Sequence, residues 1–360
     1  MNRQVKLALG LIFWPLLTSP VAASELKAAL LSPEQVSTER LRNFMAEGYN
    51  AAALSLSESN TSAQLAAARE IQKANLALYY WIEIARNPLL ADAHPEWTAS
   101  IQTHPEYRRF FPRLPLPKTN EVIKNYPWVP VLYEQTFPVH LERVRQLLAA
   151  KPVPAGIFLN DLQGPPSACG CGHPLCRWTT DYGPLKTATR LPNDSAAKFV
   201  AAVRALAPQA KVIPVWAPEC EESDAQTLCG GVGCFKGTCW REFTAQLQPI
   251  SDGSPTIGAL LLDKTFHADS SRFYPPPAGW IDSALNLFWK MPLRYQTNGV
   301  PTSRIVAVLQ GWNVTAQQIA EQLHEAGNAG AAGTVVAFTR IEQSWEPRLF
   351  DMDSRQFATR

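Results

Sequence analysis

Along the chain, apolar runs of strand length alternate with stretches whose apolar residues recur every three to four positions. The runs are Ala51–Leu56, Ala77–Ile84, Val129–Tyr133, Gly156–Leu159, Val212–Trp216, Ile257–Leu262, Ile305–Leu309 and Thr334–Phe338. Amphipathic stretches follow at Thr61–Ala74, Pro138–Ala150, Asp194–Leu206, Trp240–Leu247, Trp280–Lys290 and Thr315–Ala326. Such alternation predicts repeated βα units. The runs are apolar throughout, as strands must be when helices cover them outside and side chains fill the space inside. Ahead of the first run, Ser32-Pro33-Glu34-Gln35 reads as a helix start, with Ser as cap, Pro in the first turn and Gln closing a capping box. That leading helix is predicted to stop at Gly48.

Eight strands in βα order predict an α/β protein of the (β/α)8, or TIM barrel, type. An open doubly wound sheet also alternates, but no glycine-rich dinucleotide turn follows any run. The chain has no internal repeat. The Pro-rich segment Pro112–Pro117 falls inside a long second βα connection, Arg86 to Tyr126, and is expected to be no domain boundary. Residues 24–360 are therefore expected to form a single domain.

Residues 1–23 stand apart. A basic start with Arg3 and Lys6, an apolar core from Leu7 to Leu17 and the small residues Val21-Ala22-Ala23 read as a Sec-type signal peptide. The core is short and broken by Gly10 and Pro15, so a membrane span is not expected, and no later stretch reaches the length a span needs. The expectation is a periplasmic or secreted protein with no membrane span after cleavage. The whole chain carries 33 Lys and Arg against 31 Asp and Glu; removing residues 1–23 makes it formally neutral. That balance, with no basic stripe, excludes nucleic acid as the expected partner.

In a barrel of this kind, side chains that act stand at the C-terminal ends of strands and on the loops beyond. Those positions hold Glu58, Glu83 with Arg86, Glu134, Asn160 with Asp161, Glu219, Asp263 with Lys264, Gln310 and Arg340. Trp81, Tyr133, Trp216, Phe266, Trp312 and Phe338 recur beside them. Carboxylates and amides to bond hydroxyls, with rings to cover apolar faces, suit a carbohydrate ligand. The alternative is that half of these acids pair with Arg86, Lys264 and Arg340 and only close the barrel end. Glu83, Arg86, Glu134, Asn160, Trp216, Gln310, Trp312 and Arg340 are the candidates for binding substrate.

The alternation, the acids at strand ends and the stretch Tyr80-Trp81-Ile82-Glu83-Ile84-Ala85-Arg86, followed by His94-Pro95-Glu96-Trp97, resemble secreted glycoside-hydrolase-like barrels. In the largest clan of those enzymes an Asn-Glu pair ends strand four and a nucleophilic Glu ends strand seven. Here strand four ends in Asn160-Asp161 and strand seven in Gln310, an amide that cannot be a nucleophile. A second clan, similar to the α-galactosidases, places one Asp after strand four and another after strand six, where Asp161 and Asp263 fall. The resemblance implies Asp161 as nucleophile or activator of water and Asp263 as proton donor, with Glu219 competing for the second role.

All seven cysteines lie between Cys169 and Cys239, in the connections after strands four and five. Disulfides that shorten two loops over a site are one expectation, with an odd thiol left over. A redox centre or haem is another, without the Cys-x-x-Cys-His of covalent haem, and the remaining one is a zinc site. Cys169, Cys171, His173 and Cys176, with Cys220 nearby, could supply a tetrahedral set, although Cys-x-Cys is tighter than the usual spacing. The functional expectations are thus a carbohydrate-hydrolysing or carbohydrate-binding barrel, a metal-binding protein on a barrel scaffold, or a barrel that lost catalysis and serves as a binding protein.

Overall fold

The computed structural model describes residues 25–100, 121–131, 134–162, 190–216, 256–262, 281, 285, 301–342 and 346–351. Eight parallel strands close into a barrel: β1 (Leu26–Leu31), β2 (Ala51–Leu56), β3 (Ala77–Glu83), β6 (Gly156–Asn160), β7 (Lys211–Trp216), β8 (Ile257–Leu261), β9 (Ile305–Gln310) and β10 (Gly333–Ala337). Between β3 and β6 come two further strands, β4 (Ala99–Ser100) and β5 (Glu121–Tyr126), and after the barrel comes β11 (Glu346–Asp351). These three pair antiparallel in the order β11-β5-β4. The described helices are α1 (Thr38–Ala46), α2 (Thr61–Lys73), α3 (Pro88–Ala93), α4 (Thr136–Leu148), α5 (Arg190–Leu206) and α6 (Ala316–Asn328). Among the described residues, no helix is long and apolar enough to cross a membrane.

Both faces of the barrel strands are buried, which is why the runs carry no polar alternation. Ala29, Leu31, Leu54, Tyr80 and Ile82 point outward and pack with Leu41, Phe44, Ile71, Val144, Phe199 and Val203 of the surrounding helices. Ala28, Leu30, Ala51, Ala53, Tyr79, Trp81, Phe158, Val306, Val308 and Val335 fill the interior. Alanines on β1 and β2 leave room for the rings of β3 and β6. Those rings pack at centroid distances of 5.5 Å for Tyr79–Phe158 and 5.8 Å for Trp81–Phe158.

The barrel is as the pattern predicts, but its strand list needs two corrections. The first strand is Leu26–Leu31. The capping box at Ser32 starts only a 3-10 turn, Pro33–Gln35, and α1 begins at Thr38 with Ser37 as its cap. The predicted leading helix is therefore split and follows β1 instead of leading the fold. The segment at Val129 is no barrel strand. Val129 donates its N–H to the Ala85 carbonyl (2.7 Å) and Val131 donates to that of Leu162 (3.1 Å), so the segment crosses the ends of β3 and β6. Trp128, Val129 and Val131 are wholly buried there, and burial, not strand pairing, explains their apolar character. The two changes cancel in the count. The long excursion beginning at Arg86 therefore follows the third strand, not the second, and Glu134 ends no strand; it stands exposed just before α4.

Candidate functional site

The site is built from the period of two along a strand. Tyr79 and Trp81 face the barrel interior, so Glu83, the last residue of β3, faces the same way at the C-terminal mouth. On the neighbouring strand β6 the same parity carries Phe158 and then Asn160, which lies opposite Glu83 in the parallel register. The two side chains meet: Asn160 Nδ2 donates to Glu83 Oε2 at 2.8 Å. From two positions back on the same strand, Trp81 Nε1 donates to Oε1 at 2.6 Å. Each carboxyl oxygen thus accepts one hydrogen bond from a buried neutral donor.

Burial pushes the Glu83 carboxyl above the usual glutamate range, against the Trp81 and Asn160 hydrogen bonds, which favour the charged form. The Asp161 charge raises it further and the Arg86 guanidinium opposes. Asp161 follows Asn160 with φ 52°, in the left-handed region that non-glycine residues seldom occupy. Its carbonyl and that of Asn160 accept the N–H groups of Ala85 (2.9 Å) and Ile84 (3.0 Å). The chain leaving β6 therefore stays zipped to the chain leaving β3, and Asp161 stands beside Glu83.

Behind this pair lies a supporting shelf. Arg143, on α4, donates through Nη1 to the Glu83 carbonyl at 2.7 Å and through Nε to Glu58, just beyond β2. Glu58 also accepts from Asn87 Nδ2 (3.3 Å). Burial alone would raise the Glu58 carboxyl, but the Arg143 guanidinium holds it below the usual range. One turn earlier on α4, His140 is wholly buried, and its Nε2 lies 2.7 Å from the Val129 carbonyl. A carbonyl only accepts, so Nε2 carries the hydrogen. Burial, helped by the Arg143 charge, holds this imidazole down at about 3. Outside these contacts a groove of about 580 Å³ opens between α3 and α4, with Leu90, His94, Val139 and Arg143 among its walls.

The other candidates disperse. Gln310 ends β9, four strands from β3 in either direction around the barrel, and is fully buried. Its Nε2 donates to the Trp312 carbonyl (3.0 Å), and its backbone exchanges two bonds with the Gln322 side chain on α6. Trp312 packs against the interior cluster. Arg340 is exposed, with Nε 3.4 Å from Glu342. Arg86 is half-buried, and its Nε makes no hydrogen bond. Trp216 closes β7. Glu219, Asp263 and the residues Cys169, Cys171, His173, Cys176 and Cys220 lie outside the described residues, as do the remaining cysteines. Among the described residues there is no cluster of three His, Cys, Asp or Glu able to hold a metal.

No protein family matches the chain by sequence profile, and no curated protein matches it by sequence. Solved structures do. A chitinase from Chromobacterium violaceum superposes with a TM-score of 0.50 at 11% identity, over 87% of this chain and 93% of that one. A β-galactosidase from the psychrophilic Marinomonas ef1 gives 0.50 at 10% identity, over 88% of this chain and 55% of that one. A class V chitinase from Pseudomonas fluorescens Pf-5 covers 87% of this chain and 94% of its own, at 11% identity and a TM-score of 0.48. The fold shared with the chitinase and the β-galactosidase is the closed eight-stranded parallel barrel with helices between its strands. At such identity the likeness is one of fold, and roles for individual residues have to come from this chain's own geometry.

Two participants escaped the reading of the sequence. Arg143 sits on an amphipathic helix 60 residues from the carbonyl it holds, and nothing local marks it. The Trp81 indole looks from sequence like one more ring; its role as donor to Glu83 follows from their i, i+2 spacing on one strand face.

Proposed function

We propose that this chain is an exported protein, signalled by residues 1–23, that hydrolyses or binds a carbohydrate at the C-terminal mouth of its barrel. The observation that carries this reading is the cluster of Glu83, Asn160 and Asp161 at the adjoining ends of β3 and β6. Acids that share a site but differ in environment are how a barrel splits acid from base chemistry. In this reading Asp161 is the ionised carboxylate that attacks the sugar or activates a water, and Asp263 and Glu219 are further rim carboxyls for proton transfer. Arg86 and Asn160 stand beside these carboxyls as candidates for contact with the sugar, and Trp216 ends the next strand of the barrel.

The first substrates to try are β-linked N-acetylglucosamine oligomers and β-galactosides, after the names of the structural neighbours, together with α-galactosides. Asp161→Asn is expected to abolish turnover of whichever glycoside the wild type accepts. Unchanged turnover refutes the catalytic role. A second reading rests on three thiols and an imidazole within eight residues, Cys169 to Cys176. There the barrel is a scaffold, and Cys169, Cys171, His173, Cys176 and Cys220 hold zinc. Elemental analysis of protein isolated from periplasm separates the two: near-stoichiometric zinc supports the second, and three disulfides with one free thiol remove it. Gln310 at the end of the seventh barrel strand fits a third variant, a barrel that binds sugar without cleaving it.

A further inference from the structure

We propose that Glu83 hands a proton to the departing oxygen at this mouth, with Asp161 as its ionised partner. This deepens the carbohydrate-hydrolysing reading and rests on it. Glu83 is the carboxyl that β3 aims into the barrel at its C-terminal end, half-buried above the rings of Trp81 and Phe158. Both of its oxygens are held by neutral donors at 2.6 Å and 2.8 Å, and among the described residues no cation makes an ion pair with it. A carboxyl kept only to brace the barrel would be expected to face Lys or Arg directly, as Glu58 faces Arg143. Burial, with the Asp161 charge, favours the protonated form and outweighs the Trp81 and Asn160 hydrogen bonds and the Arg86 charge, which favour the ionised one.

The fixed geometry serves the same end. Arg143 pins the Glu83 carbonyl, Trp81 and Asn160 orient the carboxyl, and two backbone bonds keep the chain at Asp161 alongside. A buried carboxyl with a raised pKa next to a second carboxyl is the pattern of a proton donor beside a base. In the step itself, the bond from the anomeric carbon to the leaving oxygen breaks with its electron pair on that oxygen, which takes the Glu83 proton. The oxygen of a water bonds to the anomeric carbon and its spare proton passes to Asp161. Exchange with solvent then reloads Glu83 and clears Asp161, leaving hydrolysis as the net change.

The test uses the full exported chain and a series of glycosides whose leaving groups run from methanol to 2,4-dinitrophenol. Glu83→Gln is expected to lose turnover by roughly 10²–10⁴-fold on methyl glycosides. It should lose less than about tenfold on dinitrophenyl glycosides, whose leaving oxygen needs no proton. The alkaline limb of kcat/KM against pH should vanish with it. Equal losses across the series, or no loss, overturn the proposal while leaving the proposed function standing. A wild type that cleaves no member of the series refutes the hydrolytic form of the proposed function, and this role with it. A carbon-13 titration of glutamate carboxyls in the wild type needs no variant to fold: one carboxyl should titrate above the ordinary range. If every glutamate titrates normally, Glu83 is not the donor.

Discussion

Acid should loosen this protein through His140, one turn before Arg143 on α4. Its ring is wholly buried, its Nε2–H is committed to the Val129 carbonyl, and its Nδ1 is buried with no partner. Protonation would place a charge on that orphan nitrogen beside the Arg143 guanidinium. The folded value near 3 lies below the ordinary 6.5, so between these pH values the unfolded chain binds the extra proton and the native state does not. Stability from this group is complete above about pH 6.5 and is lost as pH falls toward 3. At about 1.36 kcal/mol per unit, acidification from about pH 7 to about pH 5 costs roughly 2 kcal/mol through His140 alone. Urea denaturation followed by tryptophan fluorescence at the two pH values measures it, with His140→Gln as the reference, since Gln can still donate to the Val129 carbonyl. The wild type should lose about 2 kcal/mol more than the variant over that range. Equal losses, or a folded-state His140 resonance titrating near 6.5, would refute the reasoning.

Gly333→Ala should lower stability by about 1–3 kcal/mol, because a Cβ there would lie 2.6 Å from the Leu26 carbonyl oxygen on the seam that closes β10 onto β1. Gly327→Ala on α6 meets nothing within 4 Å and should stabilise by about 0.5–1 kcal/mol, so paired thermal melts must move in opposite directions. Arg143→Met strips Glu58 and the Glu83 carbonyl of a buried donor and should cost about 2–4 kcal/mol in urea, with the Glu58 carboxyl titrating higher than in the wild type. Trp81→Phe removes a hydrogen bond to the charged form of Glu83, so the Glu83 titration should move upward; a downward move contradicts the assigned donor.

The barrel was legible because its strands are buried on both faces, which leaves long apolar runs that few other arrangements need. Leu26–Leu31 was missed for a physical reason: Lys27 interrupts its apolar character. Its Nζ reaches the Glu47 carbonyl (2.7 Å) and lies over the Tyr49 ring, so a charged residue fits a barrel strand by snorkelling off its end. The run from Val129 failed in the opposite sense, since the burial of Val129 and Val131 across two strand ends demands the same apolar residues as being a strand. At the site, Glu83, Asn160 and Asp161 were all visible as polar residues ending apolar runs. Their pairing was not, because it depends on β3 and β6 being neighbours although more than 70 residues separate them.

By itself, the sequence determined the secondary-structure rhythm and most of the places where polar groups end strands, since those depend on local period and on burial. Only the tertiary structure decided which ends adjoin: β3 lies against β6 because the excursion between them pairs with the C-terminal β11 instead of entering the barrel. That one choice of neighbours sets Asn160 on Glu83 and Asp161 beside it. The acidity of a carboxyl depends on what burial and register place within a few ångströms, and that distance is not written along the chain.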